Sequence, residues 1–295
     1  MDTFLNSVIQ GILLGGVYCL VAAGIVLVYK ATKVLNLAYG ETMVLLAYIA
    51  WYLMADLGLP VAAAIPLVIL SGMLVNLVID RFVLRPLIGR PFLAMVIATL
   101  ILGLCIRGVV ILVWGGMTEF LPPFIPSGSL NIGGISISYG PLWCFVIAMF
   151  MFVLIILYFR YTDTGLVMRA VGEDHHVSAS LGVSVKRVFT VSWLIAGIAA
   201  AVGGILLGRL YVVDPALGNV GVGRALPALL VGGLESIPGA LVGGLLVGTT
   251  EAMAATYVDP LIGGGFREAM PLLIMVIVLM VRPQGLFGVK EVGRI

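Results

Sequence analysis

The sequence predicts an all-α, polytopic integral membrane protein with about eight to ten transmembrane helices, some of them broken or re-entrant. Of its 295 residues, 62% are hydrophobic and only 10% are charged, and the mean hydropathy is +1.21. Soluble domains carry far more charge than this. The 38 glycines allow helices to approach closely in lipid, where no hydrophobic drive brings them together. We therefore expect a single transmembrane domain over residues 1–295.

Apolar runs bounded by charged residues give the positions of the crossings. Nine are predicted, each close to the roughly 20 residues that span a bilayer core, near Ser7–Tyr29, Asn36–Ala55, Pro60–Ile79, Phe92–Trp114, Leu142–Phe159, Val188–Leu207, Val220–Leu234, Pro238–Tyr257 and Glu268–Val281. The run Val220–Leu234 is short and glycine-rich. If it only re-enters the membrane, the number falls to eight and the last helices change direction.

Basic residues indicate the orientation, because cytoplasmic loops accumulate Lys and Arg. With nine crossings and the N-terminus outside, the cytoplasmic side receives Lys30, Lys33, Arg81, Arg85, Arg90, Arg160, Arg169, Lys186, Arg187, Arg282, Lys290 and Arg294. This arrangement places both the loop 160–187 and the tail 282–295 inside, whereas eight crossings would separate them. The arginines left over are Arg107, Arg209, Arg224 and Arg267.

Several function classes are excluded by what the sequence lacks. The net charge of +2 is small and dispersed, so nucleic-acid binding is not expected. Cys19, Cys105 and Cys144 lie in apolar stretches without metal-ligand spacing. No G-x-x-x-x-G-K-S/T, H-E-x-x-H or G-x-S-x-G motif occurs. The sequence therefore predicts no enzyme and no cofactor bound by this chain. The first apolar run lacks a basic leader and reads as a retained helix.

A polar segment of residues 161–187, the internal loop, is predicted to project into the cytoplasm. Thr164 is expected to cap a helix over 165–171, and a second helix over 174–181 would stop at Gly182. Val167, Val171, Val177 and Leu181 would pack together or fill a partner's groove, with charges at the rim. The candidate docking residues are Arg169, Glu173, Asp174, Leu181 and Gly182. The alternative is a solvated connector. The external stretch 115–140 is expected to form a small hairpin or cap.

Glycines crowd the stretch from 229 to 248. Two overlapping G-x-x-x-G pairs predict close packing along one face of a helix, and their members are Gly239, Gly243, Gly244 and Gly248. Before them, Gly232, Gly233, Glu235 and Pro238 interrupt the helical pattern. Broken helices commonly line transport paths, and an ordinary turn at the membrane surface is the alternative.

Polar residues inside the predicted crossings are the remaining candidates for a path or gate. Asn36, Gly40 and Glu41 stand at the entrance of the second crossing. Arg107 lies in the fourth and Glu251 in the eighth. Ionisable groups in a membrane face the bundle interior, where Arg107 can pair with Glu41 or with Glu251. The alternative is that each is a structural partner of backbone carbonyls.

Five segments, spread over nearly the whole chain, carry a family resemblance: 35–41 (LNLAYGE), 85–104, 169–187, 229–248 and 281–288 (VRPQGLFG). Together they resemble the permeases of the branched-chain amino acid ABC importer family. The entrance LNLAYGE (35–41) resembles that family's N-F-A-H-G-E motif, with Tyr39 where His is usual. The stretch 85–104 is similar to its third signature and 169–187 to its cytoplasmic coupling loop. The glycine-rich stretch 229–248 matches a family repeat, with Glu235 where Gly is common, and VRPQGLFG (281–288) its C-terminal signature.

The resemblance implies an ABC importer permease in the bacterial inner membrane. It implies a pore of two related permeases, two cytoplasmic ATPase subunits that hold ATP and Mg²⁺, and a periplasmic substrate-binding protein. Two alternatives stay open. One is a sister permease for urea, amides or aromatic acids, and the other is a secondary transporter or channel that works without ATPases.

Overall fold

The computed structural model describes residues 2–87, 91–126, 128–132, 135–173 and 175–288. The helices are α1 (Asp2–Thr32), α2 (Tyr39–Trp51), α3 (Val61–Val78), α4 (Phe92–Trp114), α5 (Tyr139–Tyr161), α6 (Asp163–Glu173), α7 (His175–Ser180), α8 (Val185–Leu210), α9 (Leu217–Gly232), α10 (Ile237–Met253), α11 (Asp259–Ile262) and α12 (Phe266–Val281). Short π-helical segments continue α2, α3 and α10 over Tyr52–Asp56, Ile79–Leu84 and Ala254–Val258. A 3-10 turn, Arg85–Leu87, comes directly after the second of these.

The all-α polytopic class is confirmed. Within the described ranges, six helical segments are long and apolar enough to cross a membrane, namely Thr3–Thr32, Val61–Leu87, Leu93–Trp114, Tyr139–Tyr161, Val185–Leu210 and Ile237–Ile262. Shorter helices, α2, α9 and α12, occupy the other three predicted crossings, with 13, 16 and 16 residues.

Two helices form the centre of the bundle. The apolar window of α1 is 89% buried and that of α8 is 78% buried, against 17% for α4. Large apolar side chains on α4 point outward, among them Leu104 and Leu112 at 61% and 86% exposure. Such an extended apolar surface suits contact with lipid or a membrane partner.

The two ends of the bundle are distinct. At one end, the inner end, α6 lies against the C-terminal turn of α1, because a Cβ on Gly172 would collide with the carbonyl oxygen of Lys30. Lys33 forms an ion pair with Glu235 there, and Leu286 N donates to Val231 O at 2.8 Å. The internal loop and the C-terminal segment therefore share one end, as the nine-crossing arrangement requires. Arg90, Lys290 and Arg294 lie outside the described residues.

The opposite, outer end carries the predicted hairpin. Strands β1 (Ser129–Ile132) and β2 (Ile135–Ser138) pair antiparallel and lead directly into α5. The preceding stretch is fixed by Tyr48, whose hydroxyl donates to Met117 O at 2.7 Å, and by backbone bonds between Glu119 and Val213. The hairpin expected for this stretch is confirmed.

Glycines allow the close contact between α1 and α10. A Cβ on Gly244 would lie 2.8 Å from the backbone nitrogen of Cys19, and one on Gly248 would lie 2.5 Å from that of Gly15. In return, a Cβ on Gly15 would lie 2.7 Å from Gly244 O. Real Cβ atoms do not tolerate such distances, so the two backbones can touch only because both helices carry glycine here.

The four predicted packing glycines serve two faces of α10 instead of the single face expected. Gly239 and Gly243 lie against α9, where a Cβ would overlap the carbonyl oxygens of Gly232 and Ala228. Gly243 and Gly244 are neighbours, so they point about 100° apart around the helix. This rotation lets α10 wedge between α1 and α9.

The C-terminal segment completes the inner end of α9. Gly285 has a left-handed φ of +78°, which turns the chain back towards the bundle. Leu286 N then donates to Val231 O at 2.8 Å and Phe287 N to Gly232 O at 3.0 Å. Helices end with carbonyls that lack intrahelical partners. The C-terminal signature thus satisfies carbonyls that the end of α9 leaves open.

Candidate functional site

The predicted path residues fall into three separate places. Asn36, Gly40 and Glu41 lie at the start of α2, close to α4. Gly232, Gly233 and Glu235 form the turn between α9 and α10 at the inner end. Glu251 belongs to a third group near the outer end, together with side chains from α1, α9 and α12.

The second crossing begins as a non-helical segment, residues 33–38, and becomes helical only at Tyr39. The helix expected from Asn36 is therefore too long. Backbone groups in this stretch find side-chain partners instead: Val34 N donates to Thr32 Oγ1 at 3.2 Å, and Ala38 N donates to Asn36 Oδ1 at 3.0 Å. Irregular backbone is tolerated at membrane depth only when it is satisfied in this way.

Thr99 of α4 supports the same segment. Its Oγ1 accepts a hydrogen bond from Leu37 N at 3.4 Å and lies 3.3 Å from Leu35 O. Tyr39, which replaces the family's usual His, is fully buried and donates to Ala196 O at 3.2 Å. Gly40 allows contact with α9, since a Cβ there would lie 2.6 Å from Gly218 O. The LNLAYGE motif therefore fixes an unwound helix entrance between α4, α8 and α9.

Glu41 faces α4. A Cβ on Gly103 would lie 3.4 Å from its Cγ, and Arg107 lies one helical turn beyond Gly103 on the same face. The charge of Arg107 acts on Glu41, but within the described ranges no direct ion pair joins the two, and Glu41 Oε2 is buried without a hydrogen-bond partner. The alternative expectation, an Arg107–Glu251 pair, is wrong because Glu251 is held by other residues.

The α9–α10 turn is compact. Gly233 has a φ of +110°, and a Cβ on it would lie 2.7 Å from Gly288 N. Ser236 caps α10 by accepting from Gly239 N at 2.9 Å. A cavity of about 380 Å³ lies beside the turn, and the internal loop contributes to it, with charged lining from Lys30, Arg160, Arg169, Glu173 and Glu235. The turn, the first helix and the internal loop are thus in physical contact around one space.

Glu251 is the centre of what we call the outer ionic cluster, formed by Tyr18, Tyr211, Arg224, Glu251 and Arg267. The Glu251 side chain is 0% exposed. Its Oε1 accepts from Arg267 Nε at 3.1 Å and from Arg224 Nη2 at 3.4 Å, and its Oε2 accepts from the Tyr18 hydroxyl at 2.9 Å. The Tyr18 and Tyr211 hydroxyls are 2.8 Å apart, and Arg267 Nη2 donates to Tyr211 at 3.2 Å. Ionised groups in lipid are stable only when partnered in this manner.

The sequence contained a partial signal for this cluster. The predicted topology does not put Arg224 and Arg267 on the cytoplasmic side. Charged side chains at membrane depth need a partner. Tyr18 and Tyr211 gave no signal, because a tyrosine in an apolar run is an ordinary membrane residue.

The internal loop forms two short helices, and its details differ from the prediction. The first helix, α6, begins at Asp163, and the cap is Thr162, whose Oγ1 accepts from Gly165 N at 3.0 Å. Thr164 lies within the helix and is not the cap. The second, α7, ends at Ser180, and Gly182 takes a left-handed φ of +82° as expected for a stop. Asp174 lies outside the described residues.

The internal loop has a buried face and an exposed face. Met168 and Val171 are fully buried, so Val171 packs inside the chain and does not join Leu181 in a common patch. Val177 and Leu181 are 56% and 79% exposed, and Glu173 is exposed while Arg169 is half-buried. The loop is thus anchored on one side and presents apolar and charged groups on the other.

The six membrane-capable helices, the unwound start of α2 and the buried outer ionic cluster are those of a multi-pass membrane protein. A model for the family described as branched-chain amino acid transport system / permease component matches residues 7–281. The chain therefore belongs to this family, and the resemblance noted in the sequence is confirmed. Because the family is a transport component, the chain is not an enzyme.

Individual relatives agree with this membership. The high-affinity branched-chain amino acid transport system permease protein BraD of Pseudomonas aeruginosa is 28% identical over 99% of this chain and 98% of its own length. LivH of Escherichia coli shows the same identity and coverage. A probable LivH of Methanocaldococcus jannaschii is 29% identical over 96% of this chain and 93% of its own. A solved structure, PsaBC from Streptococcus pneumoniae in complex with Fab, aligns over 97% of this chain and 94% of its own with a TM-score of 0.47 and 14% identity.

Proposed function

We propose that this chain pairs with a second, related permease in the inner (cytoplasmic) membrane and lines the path for branched-chain or related amino acids. A periplasmic binding protein delivers the substrate, and two cytoplasmic ATPase subunits supply the energy. Family membership over residues 7–281 is the observation that carries the proposal. The chain forms one permease domain over residues 1–295, and the internal loop is its contact with the ATPases.

The anchoring of the internal loop supports its proposed role. Gly172 and Gly165 allow α6 to lie directly against the backbone of Lys30 and Phe159, at the ends of α1 and α5. A push on α6 is therefore passed to the central helix without a soft linker, since closely packed backbones have little room to yield. Leu181 is exposed and available to meet a partner from the other side, while Glu173 lies at the rim of the cavity beside Lys30.

The sequence supports an energy source outside this chain. This chain has no phosphate-cradling loop, so ATP and Mg²⁺ would be bound by the ATPase subunits. Closure of the ATPase dimer would move α6 and, with it, α1, tilting the bundle between outward-open and inward-open arrangements.

The test is ATPase association in the assembled transporter. Leu181→Asp should leave the chain folded, because this side chain is 79% exposed, but should release the ATPase subunits on co-purification and abolish leucine uptake. Leu261→Asp is the matched control, since Leu261 is 83% exposed and follows α10 at the outer end. Normal ATPase binding and uptake in Leu181→Asp would overturn the proposed role of the loop.

A substrate panel separates the remaining alternatives. Uptake and ATPase stimulation should be measured with binding protein loaded with leucine, urea, an amide or an aromatic acid. Stimulation by urea or an aromatic acid alone would assign the chain to a sister permease. Accumulation of solute by the reconstituted chain without ATPases would instead establish a secondary transporter.

A further inference from the structure

A cavity at the outer end borders the outer ionic cluster. It measures about 340 Å³, within the range of about 300–1,000 Å³ typical of small-molecule sites. Tyr211 and Arg267 of the cluster line it, and Gln10 and Thr256 add further polar groups. Leu14 and Leu210 supply apolar surface. The cavity therefore combines a charged end with an aliphatic wall.

The charges beside this cavity do not balance. Arg224 and Arg267 contact a single carboxylate, that of Glu251, so two cations face one anion and the three side chains carry a net charge of +1. Asp259 does not supply the missing charge to these side chains: its Oδ1 accepts from the backbone nitrogens of Phe266 and Arg267. An excess positive charge at membrane depth is stabilised by a counter-charge, and an anion from the cavity would complete the cluster.

The arginines also retain unused donors. A guanidinium has five N–H groups, and Arg267 uses its Nε for Glu251 and its Nη2 for Tyr211. Its side chain is 40% exposed where it lines the cavity. Arg224 is 12% exposed, and its Nε is buried without a hydrogen-bond partner. Planar guanidinium edges of this kind match the two oxygens of a carboxylate.

From this geometry we propose that the outer cavity binds the carboxylate of an aliphatic amino acid, with Arg267 as the principal ligand and Arg224 as the residue that keeps the cluster positive. The inference rests on the proposed function and adds a receiving site on the outer side of this chain. The apolar wall takes the side chain of the amino acid, while the polar groups of Gln10 and Thr256 lie within the same space.

The test is protection of a cavity cysteine in the full-length chain in nanodiscs, without ATPases. Gln10→Cys is introduced in a Cys105→Ser background, because Cys19 and Cys144 are buried. The rate of maleimide alkylation is then measured with increasing leucine, leucinamide or inorganic phosphate. We expect leucine to slow alkylation, and leucinamide, which has the same side chain but no carboxylate, to leave the rate unchanged.

Variants link the protection to Arg267. Arg267→Gln should raise the leucine concentration for half-protection by about tenfold or more, because a hydrogen bond to a charged group is worth at least that factor. Arg267→Lys keeps the charge and should show a smaller loss. Arg282→Gln, at the other end of the same helix, is the control and should protect as the parent does. Thermal unfolding of each variant shows whether it is folded.

Three results would overturn the assignment: equal protection by leucine and leucinamide, unchanged protection in folded Arg267→Gln, or absence of protection by leucine. Protection by phosphate in place of leucine would identify a phosphate or lipid-headgroup site and overturn it as well. If leucine protects the cysteine but the assembled transporter shows no ATP-driven uptake, the proposed function fails and this site stands. If uptake occurs without protection, this site fails and the proposed function stands.

Discussion

The Tyr18 hydroxyl donates to Glu251 Oε2 across 2.9 Å, joining the central helix α1 to a carboxylate on α10. Both side chains are fully buried. Tyr18→Phe should lower the free energy of unfolding by about 1.5–3 kcal/mol, the range for a hydrogen bond to a charged group. Thermal and denaturant unfolding in detergent would measure it.

The matched control for Tyr18→Phe is Tyr52→Phe, since Tyr52 is 38% exposed at the end of α2. The Tyr52 hydroxyl makes no hydrogen bond to any described residue, so we expect its removal to cause no measurable change. Equal stability of both variants would show that Tyr18 contributes nothing to holding Glu251.

Helix packing offers a second prediction. Gly244→Leu should prevent α10 from reaching α1, because even a Cβ would lie 2.8 Å from Cys19 N. Overpacking costs about 1–3 kcal/mol or more, so we expect a lower yield of folded protein and a lower melting temperature. Gly108→Leu is the control, since a Cβ on Gly108 meets nothing within 4 Å. Normal folding of Gly244→Leu would refute the close contact.

The unwound entrance of α2 can be tested through Thr99. Thr99→Val keeps the shape of the side chain but removes the Oγ1 that accepts from Leu37 N. We expect a loss of about 0.5–1.5 kcal/mol in stability and faster hydrogen exchange of residues 34–38. Thr250→Val removes only bonds to carbonyls of its own helix. If the two variants exchange alike, Thr99 does not support the entrance.

The C-terminal turn gives a fourth prediction. Gly285→Ala places a Cβ at a left-handed φ and 2.6 Å from Leu230 O, so it should detach the segment from α9 and speed hydrogen exchange at the end of α9. Gly263→Ala carries the same kind of φ, +86°, but meets nothing within 4 Å. This control should lose only the stability that a left-handed backbone costs a residue with a Cβ, about 1–2 kcal/mol in the free energy of unfolding. Similar exchange rates at α9 in both variants would argue against the cap.

Hydropathy and charge predicted the fold class, the order of the crossings and the shared location of the internal loop and C-terminal segment. These properties depend on local composition, which a single sequence contains. The start of α2 was missed because it is decided by Thr99, 62 residues from Leu37. Apolar periodicity cannot show that an unwound stretch has found a distant partner.

The candidate site was only partly predictable for the same reason. Glu251 was identified as a buried charge, but its partners stand 16, 27 and 233 residues away in the sequence. Sequence pattern could not rank the possible partners of Glu251, and the carboxylate contacts Arg224 and Arg267 instead of Arg107. The G-x-x-x-G spacing predicted close packing of α10 but did not show that the two glycine pairs face different helices.

The bond between Leu286 and Val231 has a consequence for biosynthesis. The ribosome makes Leu286 only after all of α1–α12, so the inner end of α9 lacks this partner until these helices have been made. A purification tag fused C-terminal to residue 288 should therefore be joined through a flexible spacer, because a rigid fusion would strain the turn at Gly285.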